Sequence, residues 1–178
     1  MIDPILELKI RAELLHHDLR DGRPSAVARL RRLSPFRRVA EDALEAAARR
    51  VQRRHCLAVI ALELGFESWI EAKNVISGAQ RASSYGTLLC PRRCGGHLNL
   101  WYRNYAHAAE ALRVRGGYLL AFRRHFLVVD RPYVEDLGLR PDAPEWRRIG
   151  FDWVRPRDVR ARTRLYAELI SQLPRGGV

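Results

Sequence analysis

The chain has 178 residues and a formal charge of +12, nearly all of it arginine, since Lys9 and Lys73 are the only lysines. That length suits one domain, or a small helical module joined to a slightly larger one, and is enough to bury a core without staples. An apolar share of 47% argues against a disordered chain. The longest apolar run, Cys56 to Leu62, is too short to cross a bilayer, so no membrane association is expected.

The charge is uneven. Residues 1–78 hold 14 basic and 11 acidic side chains, a balance of +3, whereas residues 79–178 hold 18 and 9, a balance of +9. Part of the arginine excess matches a GC-rich, bacterium-like coding background. The remainder suits a polyanionic partner, and a solvated basic surface is the plainer alternative. Three cysteines and a start, Met1-Ile2-Asp3-Pro4, without a basic segment followed by an apolar one point to a reducing, cytoplasmic setting.

In chain order, Asp3-Pro4 opens a helix whose Ile5, Leu8, Ala12 and Leu15 recur at helical spacing, and Asp21-Gly22-Arg23-Pro24 stops it. Pro24 to Leu33 is a second helix with Val27, Leu30 and Leu33 on one face, broken by Ser34-Pro35. Ala40 to Leu64 follows as a helical stretch with room for an interruption, and Gly65 suits the residue after its end. Ser68 and Glu71 make a capping box for a last helix through Ile76, with Trp69 just inside it.

Residues 56–75, and Gly65-Phe66-Glu67-Ser68-Trp69 above all, resemble a short helical segment found beside ankyrin repeats and other domains in bacterial proteins. Ile70 and Ala72 stand where that pattern usually has proline and leucine. The resemblance implies an adaptor-like protein-interaction module in residues 1–78 and no catalytic residue there.

Residues 79–84 read as a linker, and 85–178 as a basic α+β domain. Tyr85 to Cys90, Tyr118 to Phe122 and Phe126 to Val129 are its candidate strands, the last two around Arg123-Arg124-His125. Asn104 to Arg115 is a helix with Tyr105, Ala108, Ala109 and Leu112 on one face, ended by Gly116-Gly117. Pro132 to Leu137 and Pro144 to Ile149 are short helices, and Pro156 to Leu173 is the closing one. The expected fold class is therefore α+β: an N-terminal helical bundle, then a small sheet of about three strands covered by helices. Gly96-x-Leu-Asn99-x-Trp101, Gly116-Gly-Tyr-Leu-Leu and Ile149-Gly-Phe-Asp-Trp153 resemble an uncharacterised bacterial family, which implies no function.

Three groups of residues carry candidate chemistry. Cys90, Cys94 and His97, with glycines that let the backbone wrap, supply three ligand types for zinc, a fourth coming from His107, His125, Cys56 or water. The same patch has an enzymatic reading, with Arg92 and Arg93 favouring a Cys94 thiolate and His97 or His125 as base. Asn99, Tyr102, His107 and Asp152 are candidates for a polar pocket, while Trp101 and Tyr105 read as core anchors. Arg92, Arg93, Arg123, Arg124, Arg157, Arg160 and Arg164 are the candidate nucleic-acid contacts, because guanidinium forks match phosphate geometry. Arg147, Arg148, Arg155 and Arg162 complete that basic run, and residues 22–38 add six arginines without an acid. The leading expectation is a non-enzymatic protein binding nucleic acid or another polyanion. The alternative is a small enzyme or a ligand- or metal-binding protein using residues 90–107.

Overall fold

A computed structural model describes residues 3–78 and 84–174. Most of the expected linker, 79–83, lies outside them. The described residues form an α+β fold in which helices surround one small antiparallel sheet.

Helices α1 (Pro4–Arg20), α2 (Pro24–Arg29), α3 (Glu41–Ala48), α4 (Arg53–Glu63) and α5 (Trp69–Ser77) make the N-terminal part. Local chemistry sets their ends. The Asp3 carboxylate accepts from Leu6 N–H at the head of α1. Ser68 Oγ accepts from Glu71 N–H, while the Glu71 carboxylate reaches back to Glu67 N–H. A short 3₁₀ turn, Leu30–Arg32, replaces the last turn expected of α2, and a second, Ser34–Phe36, follows at the expected break. The stretch 40–64 is interrupted at residues 49–52, where α4 starts afresh on a Gln52 cap.

Gly65 shows why its motif needs glycine. Its φ is +79°, and a Cβ there would lie 2.4 Å from Thr87 Cγ2. Without that side chain, the backbone carrying Thr87 can donate its N–H to Leu64 O at 2.8 Å.

The sheet has the order β1-β3-β2, from β1 (Leu100–Tyr102), β2 (Tyr118–Phe122) and β3 (His125–Val129). β2 and β3 form a hairpin closing on Phe122↔His125, as expected. The third strand differs: residues 85–90 are not a strand, and residues 100–102 are. Segment 84–86 exchanges two bonds with Arg123, Tyr85 N to Arg123 O and Arg123 N to Gly86 O. It then turns at Gly86 (φ +67°) and buries Leu88 and Leu89 in the core. Trp101 is also not a core anchor: it is 48% exposed, its ring set edge-on to Phe122.

Helix α6 (Tyr105–Arg115) covers one face of the sheet, burying Ala108 against Leu119 and Val128. The opposite face, with Leu120, Leu127 and Val129, joins a core shared by both halves of the chain. That core takes in Leu8, Leu15 and Val59 from the N-terminal helices and Leu165, Tyr166 and Ile170 from α9 (Val159–Ser171). The short helices α7 (Arg131–Asp136) and α8 (Pro144–Ile149) complete it through Tyr133, Val134 and Trp146. No helix among the described residues is long and apolar enough to cross a membrane.

Two buried arginines tie the halves together. Arg11 on α1 pairs with Glu7 and donates to Ile170 O and Leu173 O, capping the end of α9. Arg162 on α9, 4% exposed, donates to Trp153 O and to Val75 O near the end of α5. Cations near the final carbonyls of a helix complement the dipole there.

Candidate functional site

After α8, Gly150 (φ +73°) and Phe151 (φ +58°) turn the chain back along β2. Leu119 N–H donates to Phe151 O and Trp153 N–H to Leu119 O, so Asp152 sits beside Leu119 in a parallel bridge. This carries residues 149–157 past the C-terminal half of α6 and leaves a cleft of about 720 Å³ between them. Its walls include Leu112, Tyr118, Ile149 and Phe151, with Arg113, Arg155 and Arg157 also lining it.

Asp152 is 9% exposed and fully engaged. One carboxylate oxygen accepts from Tyr105 Oη at 2.5 Å, and the other from Val154 and Arg155 N–H at 2.8 and 2.9 Å. Burial first, and then the hydrogen bond to Asp152, pushes the Tyr105 phenol well above its usual value. Tyr105 therefore stays a hydrogen-bond donor at neutral pH, and the pair holds geometry rather than moving a proton. The Arg155 guanidinium carbon lies 3.9 Å from the centre of the Tyr105 ring, a cation–π contact. Arg157 crosses Gly150, where a Cβ would lie 2.9 Å from its Nε.

Of the four pocket candidates, only Asp152 lines this cleft. Asn99 and Tyr102 are half-buried near β1, and His107 is exposed on α6. Sequence reasoning had Arg155 only as a member of the basic run, and missed Phe151 and the hydroxyl role of Tyr105. The only signal for them was the clustering of Gly150, Phe151 and Asp152 directly after a helix.

The cysteines are not gathered as a metal centre. Among the described residues, the one group of three or more with all ligand atoms within 4.8 Å of one another is His17, Asp18 and Asp21, so Cys90, Cys94 and His97 do not converge. His97 bonds Asp136 at 2.7 Å and sets its ring edge-on to Tyr133. The Tyr133 hydroxyl faces both thiols and donates to Leu89 O. Burial raises the Cys94 thiol despite the opposing charge of Arg93, which disfavours a thiolate nucleophile.

The seven candidate arginines separate into two sets. Arg93 is committed to Asp136 O and Leu137 O, Arg164 pairs with Glu145 at 2.9 Å, and Arg124 lies 4.0 Å from Glu67. Arg92, Arg123, Arg157 and Arg160 are exposed, with no carboxylate partner among the described residues. Arg162, in the same run, is buried in the core instead. No protein family, curated protein or solved structure matches this chain.

Proposed function

We propose that the protein is a non-enzymatic binding protein that takes nucleic acid or another polyanion at the α6 cleft. The observation that carries this reading is the line Arg155, Arg157 and Arg160, none with a carboxylate partner among the described residues, running from the lining of the cleft to the first turn of α9. Surface arginines elsewhere are often paired, as Arg131 is with Asp142 and Arg148 with Asp158. An unpaired guanidinium beside a recess offers phosphate a fork of donors without first breaking an ion pair. The carboxylate and phenol inside the cleft are engaged with each other, which favours binding over acid–base chemistry.

Two further parts of the reading rest on separate observations. Leu6, Ile10 and Leu14 form an apolar stripe on the outer side of α1, at 52%, 41% and 45% exposure, which supports protein contact through the N-terminal helices. Free Cys56, Cys90 and Cys94 suit a reducing cytoplasm.

The test is binding of nuclease-treated protein to short DNA and RNA over a salt series. Reversing Arg155, Arg157 and Arg160 to glutamate should flatten the log–log salt slope by about 2 to 3, since each phosphate contact contributes about 0.7 to 0.9. Reversing Arg49 and Arg50, exposed at the far end of α3, should change it much less. Losses in the ratio of three to two, the ratio of arginines reversed, would mean that net charge alone drives binding and would remove the cleft from the account.

A further inference from the structure

The composition of the cleft selects among polyanions. A surface built only for phosphate needs cations and no apolar recess. Here the arginines stand beside a concave space walled by Leu112, Ile149 and Phe151. At about 720 Å³ it falls in the size range of pockets that enclose small organic molecules.

Phe151 adds an independent observation. A bulky side chain at φ +58° is disfavoured, because its Cβ crowds the following carbonyl, and glycine or asparagine is the usual occupant. Strain of this kind is retained where the surroundings hold it, and it concentrates at binding sites. Here it places Phe151, its ring edge-on to Tyr118, in the lining of the cleft next to Asp152, whose carboxylate also fixes the 152–155 turn carrying Arg155.

We infer that this recess takes an unpaired base of single-stranded nucleic acid, with the neighbouring phosphates on Arg155, Arg157 and Arg160. The inference rests on the polyanion reading above and narrows it. A duplex keeps its bases stacked inside, and its grooves are read by protruding helices or ribbons, which a recess cannot replace. A single strand splays its bases out, and these stack on aromatic rings and on guanidinium planes. Both kinds of surface line this cleft: the Phe151 ring, and the Arg155 guanidinium carried on Tyr105.

The experiment measures fluorescence anisotropy with a labelled single-stranded 12-mer, the duplex of the same sequence, and adenosine monophosphate and inorganic polyphosphate as competitors. The wild-type chain should bind the single strand roughly tenfold or more tighter than the duplex, a ratio that one stacked base accounts for. A 2-aminopurine placed in the strand should lose fluorescence on binding. Ala109→Trp fills the recess from α6 and leaves Arg155, Arg157 and Arg160 in place, so it should remove the preference and keep the salt-dependent residual binding. Phe151→Gly removes the ring at a φ that glycine adopts freely and should act in the same direction, which covers the case in which Ala109→Trp does not fold.

Equal affinity for duplex, or competition by polyphosphate at equal phosphate concentration, overturns the inference while leaving the polyanion reading intact. Equal competition by adenosine monophosphate reassigns the recess to free nucleotides and overturns it too. A single-strand preference that survives both variants places the base elsewhere. No binding of any oligonucleotide removes both readings together.

Discussion

Arg162→Ala tests how the two halves of the chain are joined. The guanidinium is 4% exposed, has no carboxylate partner among the described residues, and donates to Trp153 O at 3.0 Å and Val75 O at 3.1 Å. Truncation leaves Trp153 O without its donor, at about 1–3 kcal/mol, leaves Val75 O with only the Gly78 N–H, and opens a cavity where the stem lay. Against this, the wild-type chain buries a cation whose Nε has no hydrogen-bond partner, and removing that burden returns part of the loss. The net expectation is a destabilisation of about 3 kcal/mol, or roughly 6–12 °C in Tm for a chain of this size. Urea unfolding followed by tryptophan fluorescence reads it directly, because Trp153 and Trp146 are fully buried beside α9. Arg162→Met fills most of the volume but donates nothing, so its deficit isolates the hydrogen bonds from the cavity. A loss below about 1 kcal/mol in both variants, or a methionine variant more stable than wild type, would refute the reasoning. Burial of the cation would then be a net cost, and apolar packing alone would hold α9 to α5.

Gly65→Ala should cost about 3 kcal/mol, combining the left-handed backbone with overlap onto the Thr87 backbone N at 2.8 Å. Gly96→Ala, where a Cβ meets nothing within 4 Å, should be close to neutral in the same thermal melts. Burial, partly opposed by Arg29, pushes the Cys56 thiol up to about 11. The unfolded thiol ionises near 8.5, so stability should fall as pH rises from there toward 11. A thiol reagent at pH 8 should reach half-buried Cys90 well before Cys56 or Cys94, and equal rates for all three would count against this packing. At the acid end, Arg131 holds Asp142 low, and the Ala161 N–H, with Arg148 beside it, holds Asp158 low. Burial raises Glu145, but the Arg164 hydrogen bond with its neighbours outweighs it and the carboxyl ends below its usual value. These depressed carboxyls stabilise the fold above their unfolded values and lose that effect as pH falls through the folded ones. The urea midpoint should therefore decline below about pH 4. A midpoint that rises on acidification would contradict the ion pairs described.

The sequence by itself determined the features that neighbours along the chain control. Asp3 and Ser68 each cap a helix with a side chain three residues from the N–H it serves, so the motif is complete within a few positions, whereas the closing helix, expected from Pro156, starts at Val159 on an Asp158 cap. The β2–β3 hairpin was legible for the same reason: two apolar, β-prone runs flank the basic segment Arg123-Arg124-His125, of which His125 joins β3. The fates of the arginines were not legible. Arg157, Arg160, Arg162 and Arg164 look alike in the sequence, yet one lies across Gly150, one is solvated, one is buried against Val75 and one pairs with Glu145. Only partners far along the chain separate them. Tertiary structure also decided the third strand, because residues 85–90 turn inward under Leu64 while residues 100–102 find β3. It decided the Cys90, Cys94 and His97 set, whose closeness in sequence does not gather all three, since His97 bonds Asp136. The cleft, apart from Asp152, belongs to this second class. It exists because the Leu119–Asp152 bridge brings the turn at Gly150 and Phe151 against α6, and hydrogen bonds between distant segments leave no local pattern to read.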